Sequence, residues 1–367
     1  MTKIRKIVFE NGREFSGYPF GTDSQTVSEV VFCTSMVGYQ EVLTNPAYKG
    51  KIVLFTYPII GSYGLSDEDY ESGTMTASGV IVREYNDFPS NFRYTKTLSE
   101  EMQECSIPGI YGVDTREIVQ MLREEGIMKA AIVDEDTNRQ EIKRLLQEET
   151  YIPSISDISS KKTWYSRTSN YRYNVVAIDC GITSSMIKSL KSRGCNIIIV
   201  PYNSSQQEIY SYRPHGIYIS DGPGYPKDAD VVVNTIKGFI GKMPILGVGF
   251  GFLAIASAFD GRVSDTQVMH FGSNHPVRNL INSKIEITSQ SHSHIIDENS
   301  IKDSSIKITH RNLTDNTIEG ISLEDKSISA IAYHPECTVD DTDTAYIYDN
   351  FIESIEREGI GKDDNNA

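Results

Sequence analysis

Two kinds of hydrophobic pattern divide the chain. Over residues 1 to about 150, short alternating or apolar runs stand at 6–10, 13–16, 29–32, 51–57 and 79–82, the first two turned by Asn11-Gly12, a hairpin signal. Helical spacing occurs at 115–125, with Ile118, Met121 and Leu122 on one face and Gly126 as its stop, and at 137–148, with Ile142, Leu145 and Leu146. This mixture predicts a smaller, β-rich α+β domain. From 174 to about 360 the pattern is regular: apolar runs at 175–179, 196–200 and 216–220 alternate with helical runs at 184–192, 206–212 and 230–240. Such alternation predicts an α/β domain, a doubly wound, mostly parallel sheet covered on both faces, with ligands at the carboxyl ends of its strands. Alternating strands at 284–288, 305–309 and 327–333 follow.

The central stretch of this second half is Pro244 to Ala256. An apolar strand runs without a polar loop into Gly247, Gly249 and Gly251, which open directly into an alanine-rich helical run ending at Asp260-Gly261. That is the layout of a nucleophile elbow, where a strained turn raises one side chain above a sheet, beside the N–H groups and positive end of a helix. The tip residue is Gly249. The mount is present and the reactive atom is missing.

Between the two halves, residues 151–173 are rich in serine and lysine with little periodicity, which reads as a linker. The lone Trp164 inside it is expected to pack on a domain surface. Residues 361–367 read as a frayed polar tail.

Composition narrows the function classes. With 39% hydrophobic and 23% charged residues, 367 residues are enough for two soluble domains. A formal charge of −15, from 50 acidic against 35 basic residues, opposes binding to nucleic acid. The first ten residues lack an adequate apolar targeting core, and the longest uncharged apolar run, 245–259, is short for a membrane span, so a cytoplasmic protein is expected. Cys33, Cys105, Cys180, Cys195 and Cys337 lie without CxxC spacing, which argues against a disulfide framework or zinc and favours buried thiols.

Three segments converge on strand ends in this topology. Ser220 to Pro226 contains Gly222-Pro223-Gly224, whose N–H groups suit an oxyanion or a substrate carboxylate. The elbow is the second. The third is His334-Pro335-Glu336, a general base with a carboxylate two residues on to orient it. Each alone is also an ordinary structural feature; the three in this order are far more specific.

Together they resemble the class I glutamine amidotransferases, which carry a GPG-type turn, a Gly-x-Cys-x-Gly-His elbow and a His-Pro-Glu near the C-terminus. In the first half, Gly38-Tyr39-Gln40-Glu41, Thr56-Tyr57-Pro58, Ser90-Asn91-Phe92-Arg93 and Gly112 to Arg116 resemble the N-terminal domain of the carbamoyl-phosphate synthetase small subunit. The resemblance covers nearly the whole chain. It implies hydrolysis of glutamine through a Cys thioester and passage of ammonia through a tunnel to a large subunit. That partner makes carbamoyl phosphate from ATP and bicarbonate, for pyrimidine or arginine synthesis. It also implies ATP and metal on the large subunit, with no cofactor and no metal on this chain.

Carried over by position, His334 and Glu336 match the base and its orienter, and Gly222 and Gly224 the substrate-binding turn. The departures share one chemical direction. Gly249 holds the nucleophile's place, and Phe252 and Leu253 replace the elbow His and Gln. Ala47, Phe250, Leu253, Ser291, Ser293 and His294 stand at glutamine-contact positions where the family differs, and the loop 271–276 is shortened. Losing a hydrolase nucleophile costs on the order of a million-fold in turnover. The expectation is therefore a small subunit whose glutaminase is lost or nearly so, with glutamine a ligand only if the site is still competent. The competing expectations are a glutaminase using Cys337 or Cys180, and a non-catalytic interaction module.

Overall fold

A computed structural model describes residues 3–148, 151–223, 229–336 and 343–359. The chain divides into two compact units, residues 1–153 with 267–272, and residues 154–266 with 273–367.

In the first unit the apolar runs close into a barrel of seven strands. Their order is Arg5–Phe9, Glu14–Gly21, Pro108–Tyr111, Gly79–Val82, Ile52–Phe55, Thr26–Cys33 and Met128–Asp134, which returns to Arg5–Phe9. The closing strand, Met128–Asp134, pairs antiparallel with both Arg5–Phe9 and Thr26–Cys33. It and Pro108–Tyr111 are strands that the residue pattern did not announce, because both faces of each are largely buried and alternation is lost. The helix Thr115–Glu125 has the predicted bounds, Asp114 accepting from the Glu117 N–H at one end and Gly126 at φ 88° ending it. Its buried Ile118, Met121 and Leu122 each contribute about 1.5–3 kcal/mol by leaving water.

In the second unit, ten strands form one sheet among the described residues. Five are parallel, in the order Cys195–Pro201, Tyr173–Asp179, Gly216–Ile219, Ile245–Val248 and Ile328–Ile331. Beyond them the sheet continues through Ile318–Leu323, Lys307–Asn312 and Val263–Asn279, each antiparallel to the strand before it, and ends at Ile285–Ile296. Two apolar layers cover the parallel block, and alternate residues of one strand serve each. Val176, Ile178, Ile217, Ile219 and Ile245 pack with the helices Ala229–Lys237 and Phe250–Ala258. Val175, Ala177, Tyr218, Leu246 and Val248 pack with Ser184–Ser192 and Tyr346–Arg357. The helix Phe250–Ala258 is apolar all round and almost wholly buried, as a central helix must be.

Within the serine-rich stretch read as a linker, Trp164–Ser166 forms a strand antiparallel to Cys195–Pro201. Trp164 is part-exposed on that edge. No helix among the described residues is long and apolar enough to cross a membrane.

Candidate functional site

The elbow glycines have distinct physical reasons. A Cβ on Gly247 would lie 2.6 Å from the Gly251 carbonyl oxygen, and one on Gly251 would lie 2.4 Å from that of Ile219, so strand and helix touch backbone to backbone. Gly249 sits at φ 56°, ψ −111°, the strained turn that an elbow requires. Its N–H donates to the Ile331 carbonyl at 2.9 Å, fixing the tip to the neighbouring strand. No side chain rises from the tip.

Around the tip lies a closed ionic network. His334 follows the strand Ile328–Ile331, and its backbone N–H donates to the Ser289 carbonyl at 2.8 Å, which holds the imidazole over the strand ends. Its Nδ1 is 3.1 Å from Glu336 Oε1. Its Nε2 is 3.1 Å from Asp221 Oδ2 and 2.6 Å from Ser291 Oγ. Burial pushes His334 toward the neutral form, but hydrogen bonds and charge from Asp221 and Glu336 outweigh it and hold the ring's pKa well above the usual histidine range. With a carboxylate against each nitrogen, both nitrogens donate and the ring is an imidazolium.

Asp221 is the member that sequence reading passed over. It follows the strand Gly216–Ile219, immediately before Gly222, and only 4% of it is exposed. Oδ1 accepts from the Phe250 N–H at 2.7 Å, and Oδ2 accepts from the Ser291 hydroxyl at 3.2 Å. Burial pushes this carboxyl up, but His334 and the N–H groups of Phe250 and Gly222 hold it below the usual carboxylate range. Its only sequence signal was a carboxylate directly preceding the Gly-Pro-Gly turn.

Glu336 is oriented in turn. Tyr348, on the helix Tyr346–Arg357, donates to Glu336 Oε2 at 3.0 Å, and the Tyr348 and Tyr218 hydroxyls are 3.3 Å apart. His334, Glu336 and the elbow thus lie together at the strand ends, linked through Asp221.

The remaining candidates fall out differently. Gly222 must be glycine, since a Cβ there would lie 1.7 Å from the Cys180 carbonyl oxygen; Gly224 lies outside the described residues. Phe250 and Leu253 are buried in the elbow helix. Ser293 Oγ is 3.5 Å from His294 Nδ1, and His294 Nε2 pairs with Asp265 at 3.3 Å. In the first unit, Ala47 is buried in the turn Pro46–Tyr48, its N–H donating to Asn45 at 2.9 Å. Cys180 is fully buried, and burial, then Asp179 and Asp221, push its thiol well above the ordinary range, away from the nucleophilic thiolate. Cys337 lies outside the described residues.

The expectation that this chain carries no metal-binding or cofactor group is corrected. His270, His292 and Glu319 each present one ligand atom, and the three atoms lie within 4.8 Å of one another. Two imidazoles and a carboxylate form a donor set that holds zinc in other proteins. The three come from separate strands, Val263–Asn279, Ile285–Ile296 and Ile318–Leu323, so no motif spacing betrays them.

Residues 7–132 match the model of the carbamoyl-phosphate synthase small chain, CPSase domain, and 176–354 that of class-I glutamine amidotransferase. A carbamoyl phosphate synthase small chain of Fusobacterium nucleatum is 38% identical over 354 residues, covering 96% of this chain and 98% of that one. The namesake of Staphylococcus saprophyticus is 38% identical over 368 residues, with both chains covered completely. That of Listeria monocytogenes is 37% identical over 356 residues, 97% of each. From its first strand to its last helix, with an elbow whose tip is glycine, the chain belongs to the carbamoyl-phosphate synthase small-chain family.

Proposed function

We propose that this small subunit has lost glutamine hydrolysis. It partners a large subunit that makes carbamoyl phosphate from ATP, bicarbonate and free ammonia. The carrying observation is the elbow tip: Gly249 keeps the strained φ of 56° and offers no atom to attack an amide carbon. The base and orienter persist beside it, but a general base without a nucleophile at the elbow cannot open the thioester route. The substitutions at Ala47, Leu253, Ser291, Ser293 and His294 run in the same direction, since substrate groups left unpaired lose a few kcal/mol each.

Purified chain is incubated with glutamine, alone and with a large subunit, and glutamate is measured. No glutamate above background is expected, and the reconstituted pair makes carbamoyl phosphate with ammonium but not with glutamine. A covalent glutamyl adduct found by mass spectrometry, or glutamate release abolished by C180A or C337A, sinks the proposal.

A further inference from the structure

Building on the reading that hydrolysis is lost, we infer that Asp221 is an internal inhibitor: its carboxylate occupies the seat that a nucleophile at position 249 needs, so restoring a thiol there alone leaves the site silent. Three geometric facts carry this. A Cβ built on Gly249 would lie 2.0 Å from Asp221 Oδ1 and 2.2 Å from its Cγ, so the carboxylate and any side chain at the tip compete for one volume. The Phe250 N–H, which in an elbow is the oxyanion donor supplied by the residue after the nucleophile, is already engaged at 2.7 Å by that same oxygen. Nε2 of His334, the atom that must accept the nucleophile's proton, is committed to Oδ2.

Ser291 shows the same block from a second side. Its Oγ lies 2.6 Å from Nε2, and with the Glu336 contact this sets out a Ser-His-Glu constellation. But an imidazolium between two carboxylates has no lone pair to take a proton, and the Ser291 hydroxyl donates to Asp221 instead. Asp221 therefore silences both positions from which an attack could start. Every element packed round the ring adds to the same balance: Asp221 from the end of Gly216–Ile219, Ser291 from Ile285–Ile296, and Glu336 with Tyr348 from the C-terminal side. The elbow itself supplies only N–H groups. Gly249 and Asp221 are consequently a matched pair, and neither can be changed alone without disturbing the other.

The test uses the full-length wild type, G249C, D221G and the double variant D221G/G249C. Alkylation by iodoacetamide is followed at position 249 by peptide mass spectrometry, with the other cysteines as internal reference, and the His334 ring is titrated by NMR. The thiol at 249 is expected to react about 10-fold faster in the double variant than in G249C, because removing the neighbouring carboxylate frees the tip and favours the thiolate. The His334 ring in D221G is expected to lose its proton at lower pH than in wild type. Equal alkylation rates in the two thiol variants overturn the inference, as does a His334 titration that D221G leaves unmoved. If G249C fails to fold and the double variant folds, the steric conflict is confirmed directly; if neither folds, the D221G titration decides. Glutamate production by wild type would end the reading of lost hydrolysis, and the His334 titration does not depend on that result.

Discussion

Both units bury a cation, and they do so by different means. In the barrel, Arg5 is fully buried and its guanidinium donates to the carbonyls of Thr22 at 3.1 Å, Ser24 at 3.2 Å and Gly109 at 3.3 Å, with the Asp134 carboxylate at 3.8 Å. Burial lowers its pKa, and Asp134 and Asp23 oppose the shift. In the sheet unit, His334 faces two carboxylates and a hydroxyl. Arg5 neutralises backbone dipoles and cannot lose its proton in the working range. His334 carries its charge on a ring that can take up and release a proton. The barrel uses a charge as a fixed bracket, whereas the sheet holds one on a titratable ring between two carboxylates.

The largest expected effect breaks the bracket. Arg5→Ala strands three buried carbonyls and should cost about 3–5 kcal/mol, measured as a shift in denaturation midpoint. A cost below 1 kcal/mol would mean that water replaces the guanidinium and that the comparison is false.

Next comes the tip of the elbow. Gly249→Ala forces a Cβ into the Asp221 carboxylate at a positive φ, and a loss of about 3–4 kcal/mol follows from strain and overpacking together. An unchanged melting temperature would show that Asp221 moves aside freely.

Acidification separates the two units further. His310, on the strand Lys307–Asn312, is lowered to about 4, chiefly by burial with Glu319 opposing. Its folded pKa lies below its unfolded value, so the unfolded chain binds the extra proton. Its contribution is complete above about pH 6.5 and is lost as pH falls toward 4, up to about 3 kcal/mol. Asp221, also lowered, adds a loss that begins below the ordinary carboxylate range. His334, raised, contributes fully at pH values below its unfolded pKa, and that contribution goes only as pH climbs through its raised folded value. Hydrogen exchange against pH should therefore show the sheet unit loosening in acid before the barrel. The reverse order would contradict the assignment.

The smallest effects sharpen the picture. Tyr348→Phe leaves Glu336 Oε2 without its hydroxyl donor and should cost about 1–2 kcal/mol while leaving the barrel's exchange rates alone. In the barrel unit, Thr97 and Glu100 close a reciprocal cap on the helix Leu98–Glu104, and Thr97→Ala should cost about 1 kcal/mol. Both are read from denaturation midpoints.

Local chemistry was legible in the sequence, and contacts between distant segments were not. The helix Thr115–Glu125 could be bounded because its apolar face and stopping glycine lie close together in the chain. The elbow was visible because close backbone approach demands glycine at fixed spacing. Asp221 was hidden because its partners, Phe250, Ser291 and His334, are 29, 70 and more than a hundred positions away, and an acidic residue in a turn looks solvated. The cluster of His270, His292 and Glu319 was hidden for the same reason. Barrel closure by Met128–Asp134 depends on two pairings that no local pattern encodes.

The short strand Trp164–Ser166 has a consequence for solubility. It lies along Cys195–Pro201, whose Ile197, Ile198, Ile199 and Val200 form the outermost apolar row of the parallel block. Unpaired, such a row would template association with another chain. Trp164–Ser166 is therefore a hem sewn along a raw border, and cutting the chain beside it should promote clumping.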